Sequence, residues 1–150
     1  MYWAPDGAFS VLLPAPPRLS SQESKGKNGE PFTQYMTQAR DDTTYVLVAY
    51  FNYGPTIKFV LDDAVDGMVG AVKGTLLSRE PISLGGFRGQ QASAEAKTES
   101  GIPYMVRARV YDVNRRVYSL QCLSPKATDP AAIAEKCERF LNSFKVKGPQ

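Results

Sequence analysis

Thr43-Thr44-Tyr45-Val46-Leu47-Val48-Ala49-Tyr50-Phe51 is the stretch on which the fold turns. Successive side chains of a strand point to opposite faces of its sheet. Tyr45, Leu47, Ala49 and Phe51 therefore share one face, and Val46, Val48 and Tyr50 share the other. Both faces are apolar, and such a strand needs cover on both sides. The reading is α+β: an antiparallel β-sheet sandwiched between helices, an α/β/α arrangement.

Two segments supply the expected covers. From Phe59 to Lys73, Leu61, Ala64, Val65, Met68, Val69 and Val72 recur at helical spacing, and Gly74 stops the run. Gly67 and Gly70 each cost about 1 kcal/mol relative to alanine, which suggests close backbone packing there. A second helix opens with Asp129 as N-cap and Pro130 at the first position, and Ile133, Cys137, Phe140 and Leu141 form its stripe. Phe144-Lys145-Val146 reads as a short closing strand.

Before the decisive strand, Phe9 to Leu13 reads as a strand stopped by Pro14-Ala15-Pro16-Pro17. Ser20 to Glu30 is polar and reads as a mobile hairpin loop, and Phe32 to Gln38 as an edge-like strand. Between the helices, 76–78, 82–84, 88–97, 104–112 and 116–123 read as strands, with Gly85-Gly86 turning the chain. Residues 1–150 show no repeat and no linker and are read as a single domain.

Register follows from matching faces, because a slip of one residue flips every side chain. Setting Ala96 opposite Tyr104 pairs Ala94 with Val106 and Ala92 with Ala108. Setting Asp112 opposite Arg116 leaves Val113-Asn114-Arg115 as a three-residue loop and pairs Val106 with Cys122. One face is then small and apolar. The other gathers Gln91, Ser93, Glu95, Arg107, Arg109, Tyr111, Ser119 and Gln121 as a candidate partner surface, with the two arginines as anion or carboxylate anchors. The competing reading is a solvated sheet face with diagonal pairs such as Glu95 with Arg107.

Composition narrows the chemistry. The 150 residues are 43% hydrophobic and 22% charged, ordinary for a globular chain. A net charge of +3, from 18 basic and 15 acidic residues, is far from the basic stripe of a nucleic-acid binder. Eight tyrosines offer stacking surfaces, yet Tyr45, Tyr50, Tyr104 and Tyr118 fall on faces assigned to the core. No apolar run reaches the roughly 20 residues of a membrane-spanning helix.

Histidine is absent, which removes the commonest general base, the histidine-dependent triads and histidine metal sites. Asp41-Asp42 and Asp62-Asp63 read as turn and helix N-terminal charges, because adjacent carboxylates diverge on a strand or helix. Gly85-Gly86-Phe87-Arg88-Gly89 leads into a strand and reads as a tight turn, since no helix N-terminus follows to receive a phosphate. No catalytic residue, metal ligand or cofactor site is assigned. Cys122 and Cys137 leave two states open, a bridge or two buried thiols; a bridge would imply an oxidising compartment such as a periplasm. The start Met1-Tyr2-Trp3-Ala4-Pro5 has no signal-peptide pattern, which fits a cytoplasmic chain or a mature exported domain.

Several stretches together carry a resemblance: Phe9-Ser10-Val11-Leu12-Leu13-Pro14-Ala15-Pro16, Ile82-Ser83-Leu84-Gly85-Gly86-Phe87-Arg88-Gly89, and Arg109-Val110-Tyr111. Arg116-Val117-Tyr118-Ser119-Leu120 and Phe140-Leu141-Asn142-Ser143-Phe144 complete it. The series resembles a family of uncharacterised bacterial proteins, often exported or lipid-anchored, and its element order is similar to the PsbP-like fold. That fold occurs in an extrinsic photosystem subunit and a Ran-binding import factor. The resemblance implies a non-enzymatic, accessory role at the cell envelope, in a periplasmic or extracytoplasmic setting, and carries over no site residues. The leading expectation is a non-catalytic binding domain that engages a protein partner through the polar sheet face or the Ser20–Glu30 loop; the alternative is a small-ligand or lipid carrier with its site between the first helix and the sheet.

Overall fold

The computed structural model describes residues 2–5, 7–25, 31–54, 60–126 and 130–146. Among them 57% lie in strands and 19% in helices, so the chain is mostly β and the expected α/β/α sandwich is corrected. The strands are β1 (Tyr2–Trp3), β2 (Phe9–Val11), β3 (Arg18–Lys25), β4 (Pro31–Arg40), β5 (Tyr45–Asn52), β6 (Thr75–Leu84), β7 (Phe87–Lys97), β8 (Pro103–Val113), β9 (Arg116–Pro125) and β10 (Lys145–Val146). The helices are α1 (Leu61–Ala71) and α2 (Pro130–Ser143). One antiparallel sheet runs β3-β4-β5-β9-β8-β7-β6, and a small one runs β1-β2-β10.

The physical reason for the correction is area. Seven strands at about 4.8 Å spacing span about 29 Å, while a helix about 10 Å across covers roughly two of them. On one face, Leu61, Val65 and Val69 of α1 pack onto Ala92, Ala94, Ala108, Val106 and Val110. On the other, Ile133, Cys137, Phe140 and Leu141 of α2 share a core with Val46, Val48, Tyr118 and Leu120. Phe9 and Val11 of the small sheet complete that second core, doing work assigned from sequence to helices alone. The two-faced apolar pattern of β5 is therefore explained, though by a mixed cover.

Several boundaries moved. The Ser20–Glu30 loop is in fact strand β3 as far as Lys25, paired in continuous register with β4; residues 26–30 lie outside the described residues. The two fragments 76–78 and 82–84 are one strand, whose alternation is broken by a bulge between Leu76 and Ser78 and by Pro81. Asp129 and Phe59, read as helix boundaries, also lie outside the described residues. Gly67 and Gly70 do not serve close packing, because a Cβ built on either meets nothing within 4 Å.

Candidate functional site

The β7–β8 register is as the sequence predicts, with Ala96 opposite Tyr104 and Ala92 opposite Ala108. The β8–β9 register is one residue off: Val113, not Asp112, faces Arg116. Asn114 and Arg115 alone form the turn, both with positive φ (50° and 64°). Such two-residue turns match the twist of the flanking strands. The shift sends Tyr118, Leu120 and Cys122 toward α2 and leaves Ser119 and Gln121 on the α1 face, so these two leave the predicted polar surface.

Tyr111 stays on the predicted face but is core. It is 3% exposed, its ring stacks on Phe144 at 6.0 Å, and burial pushes its phenol up, partly offset by Arg109. Gln91, Ser93, Glu95, Arg107 and Arg109 remain together, joined by Ser78 and Glu80 across β6. The bulge and Pro81 hid those two additions, since they interrupt the alternation of β6. Asn142 reaches in from α2.

The surface is mostly hydrogen-bonded to itself. Gln91 Nε2 donates to Glu80 Oε1 at 2.8 Å, and Arg109 Nε donates to Gln91 Oε1 at 2.8 Å. Arg109 Nη1 donates to Asn142 Oδ1 at 2.8 Å, so Arg109 is a brace between sheet and helix instead of a free anchor. Ser78 and Ser93 share a hydroxyl hydrogen bond. Glu95, foreseen as the partner of Arg107, is taken by Lys126 Nζ at 2.8 Å. Arg107 is the exception: its Nη1 is buried and has no hydrogen-bond partner.

Other candidates resolve into architecture. Asp41 closes a turn: its Oδ1 accepts from the Thr43 and Thr44 amides at 3.0 and 2.9 Å, and its Oδ2 pairs with Lys136 of α2. Burial by itself raises this carboxyl, but the hydrogen bonds from Lys136, the two amides and the Thr44 hydroxyl outweigh it and hold Asp41 well below the usual range. Asp62 sits in the first turn of α1 and engages Arg79 at 3.3 Å. Gly85 and Gly86 form the tight β6–β7 turn with φ of 56° and 88°. Cys122 and Cys137 are joined as a disulfide, with Cα atoms 5.6 Å apart. The α1–sheet interface named for a ligand is occupied by Leu61, Val65 and Val69 in direct contact with strand side chains. Among the described residues, no group of three or more Cys, Asp or Glu is placed to hold a metal ion. Among the described residues, no helix is long and apolar enough to cross a membrane.

No family model matches the sequence, and none of the curated proteins does. Solved structures share the fold. A protein from Bacteroides thetaiotaomicron superposes with a TM-score of 0.55 at 14% identity, over 97% of this chain and 47% of its own. The present chain thus spans about half the length of that protein. A Pseudomonas aeruginosa protein of unknown function superposes with a TM-score of 0.51 at 11% identity, covering 87% of this chain and 99% of that one. At such identities the likeness is one of fold alone.

Proposed function

We propose that this chain is a non-catalytic binding module that engages a protein partner through the polar face of β6, β7 and β8. The observation that carries the reading is Arg107: a guanidinium nitrogen, buried and unpartnered, on a surface whose other polar groups are satisfied among themselves. Leaving a buried donor unsatisfied costs about 1–3 kcal/mol, and more for a charged group. A partner carboxylate that draws the half-buried Arg107 side chain outward recovers that cost and adds a charge-assisted hydrogen bond. A non-enzymatic role is supported by the histidine-free sequence and by the structural duties of Asp41 and Asp62. The disulfide and the resemblance to bacterial proteins that are often exported or lipid-anchored support an exported, envelope setting.

The test pairs affinity capture from envelope and soluble fractions of the source organism with thermal unfolding, for the wild type and Arg107→Ala. A partner held by the wild type and lost by the variant, with stability unchanged or raised, is expected. Equal capture by both, or a variant that unfolds more easily, overturns the reading, because Arg107 is then neutral or structural.

A further inference from the structure

The two edges of the large sheet are built differently. β6 carries a bulge between Leu76 and Ser78 and a proline at 81, both features that discourage strand addition. β3, at the other edge, has neither: its pairing with β4 is unbroken from Arg18↔Gln38 to Lys25↔Pro31, and it contains no proline. Among the described residues, no strand neighbours its outer backbone N–H and C=O groups in the sheet order.

A second feature coincides with that edge. A cleft of about 330 Å³ lies between the small sheet and β3–β4, lined by Pro5, Phe9, Leu19, Ser21, Tyr35 and Tyr50 among others. Leu19 is 57% exposed and Tyr35 42%, so its outer wall is open and apolar. Ser21 stands directly opposite Tyr35. A strand added outside β3 lies about 9.6 Å, two strand spacings, from β4. A large side chain placed opposite the small Ser21 leans over it to the Tyr35 ring.

Charge defines the ends of the occupant. β3 begins at Arg18 and ends at Lys25, about 23 Å apart along an extended strand. The acidic residue between them, Glu23, accepts a hydrogen bond from the Thr33 hydroxyl at 2.7 Å. A second copy of β3 paired antiparallel about its centre sets Arg18 against Lys25 twice, which like-charge repulsion disfavours.

We infer that β3 is a strand-addition site for an extended segment of a partner protein, acidic at both ends and carrying a large apolar side chain opposite Ser21. Backbone hydrogen bonds supply affinity, the cleft supplies register, and the cations at the two ends of β3, Lys25 on the cleft face and Arg18 on the opposite one, supply selectivity. This surface lies at the opposite edge of the sheet from β6, so it stands or falls independently of the Arg107 face.

The probe is a capped eight-residue peptide with aspartate at each end, leucine fifth and valine or threonine elsewhere. Amide hydrogen exchange and chemical shifts of the whole chain are followed by NMR during titration. Protection is expected to rise across residues 18–25, and to fail with the same peptide N-methylated on its β3-facing amides. Arg18→Glu/Lys25→Glu is expected to weaken binding at least about tenfold at low salt and to accept a lysine-ended peptide instead. No saturable change up to about 1 mM, protection centred on β6, or equal binding of the N-methylated peptide overturns the proposal. Protection of β3 that rises with protein concentration alone assigns the edge to a second copy and overturns it as well.

Discussion

Gly89 faces Tyr111 across β7 and β8, and a Cβ built on it lies 2.5 Å from the ring and 2.7 Å from the Val110 carbonyl oxygen. The ring is held by its stack on Phe144 and by burial, which limits how far it can retreat. Gly89→Ala is therefore expected to lower stability by about 1–3 kcal/mol through overpacking, read as a shifted denaturant midpoint. Asp41 gives a pH signature. Its folded-state carboxyl is depressed relative to the unfolded value near 3.9. Its contribution is thus present above that value and lost as pH falls through the folded one. Asp41→Asn is expected to be less stable at neutral pH and to lose stability less steeply below about pH 4 than the wild type, as urea titrations across pH would register. The sequence marked Asp41 as a turn residue; the Lys136 pair, 95 positions away along the chain, was not visible there. The sequence placed Arg107 on the polar face, but only neighbours from elsewhere in the chain reveal that Glu95 is spent on Lys126 while Arg109 is spent on Gln91 and Asn142.

Helical spacing located α1 because Leu61, Val65 and Val69 fall on one buried stripe. Its glycines were misread: Gly67 and Gly70 face open space, so their cost is not repaid by contact. Replacing both with alanine is expected to stabilise the protein by about 0.5–1 kcal/mol each, measured by thermal or denaturant unfolding. Clashes there would instead lower the midpoint. β7 and β8 were legible because their alanines and valines alternate cleanly. β3 was not, since a strand exposed on both faces has no apolar period to read. The β8–β9 hairpin was missed by one residue. Asn-Arg and Val-Asn-Arg are both acceptable loops locally, and burial of Tyr118, Leu120 and Cys122 under α2 decides between them.

At the scale of the whole molecule, the Cys122–Cys137 bridge ties α2 to the central strand β9. With 15 residues of separation, its loss through Cys122→Ala/Cys137→Ala is expected to cost about 3 kcal/mol. Calorimetry of the oxidised protein and the double variant measures this. Alkylation of the unfolded, unreduced protein checks the bridge itself, since an intact bridge leaves the mass unchanged and two added labels exclude it. The bridge, the small sheet and α2 share one core, so the same loss is expected to loosen the packing of Phe9 and Phe144.

By itself the sequence determined the antiparallel sheet, the two helices, the tight glycine turn and the need to cover β5 on both sides. These follow from local periodicity and turn chemistry, which act over a few residues. Only the tertiary structure decided that the cover is shared with a three-stranded sheet, that Ser119, Gln121 and Tyr111 leave the polar face, and that β3 is an open edge. Each of those depends on register or area between segments distant in the chain, where one residue of slip inverts a face and no local signal records the choice.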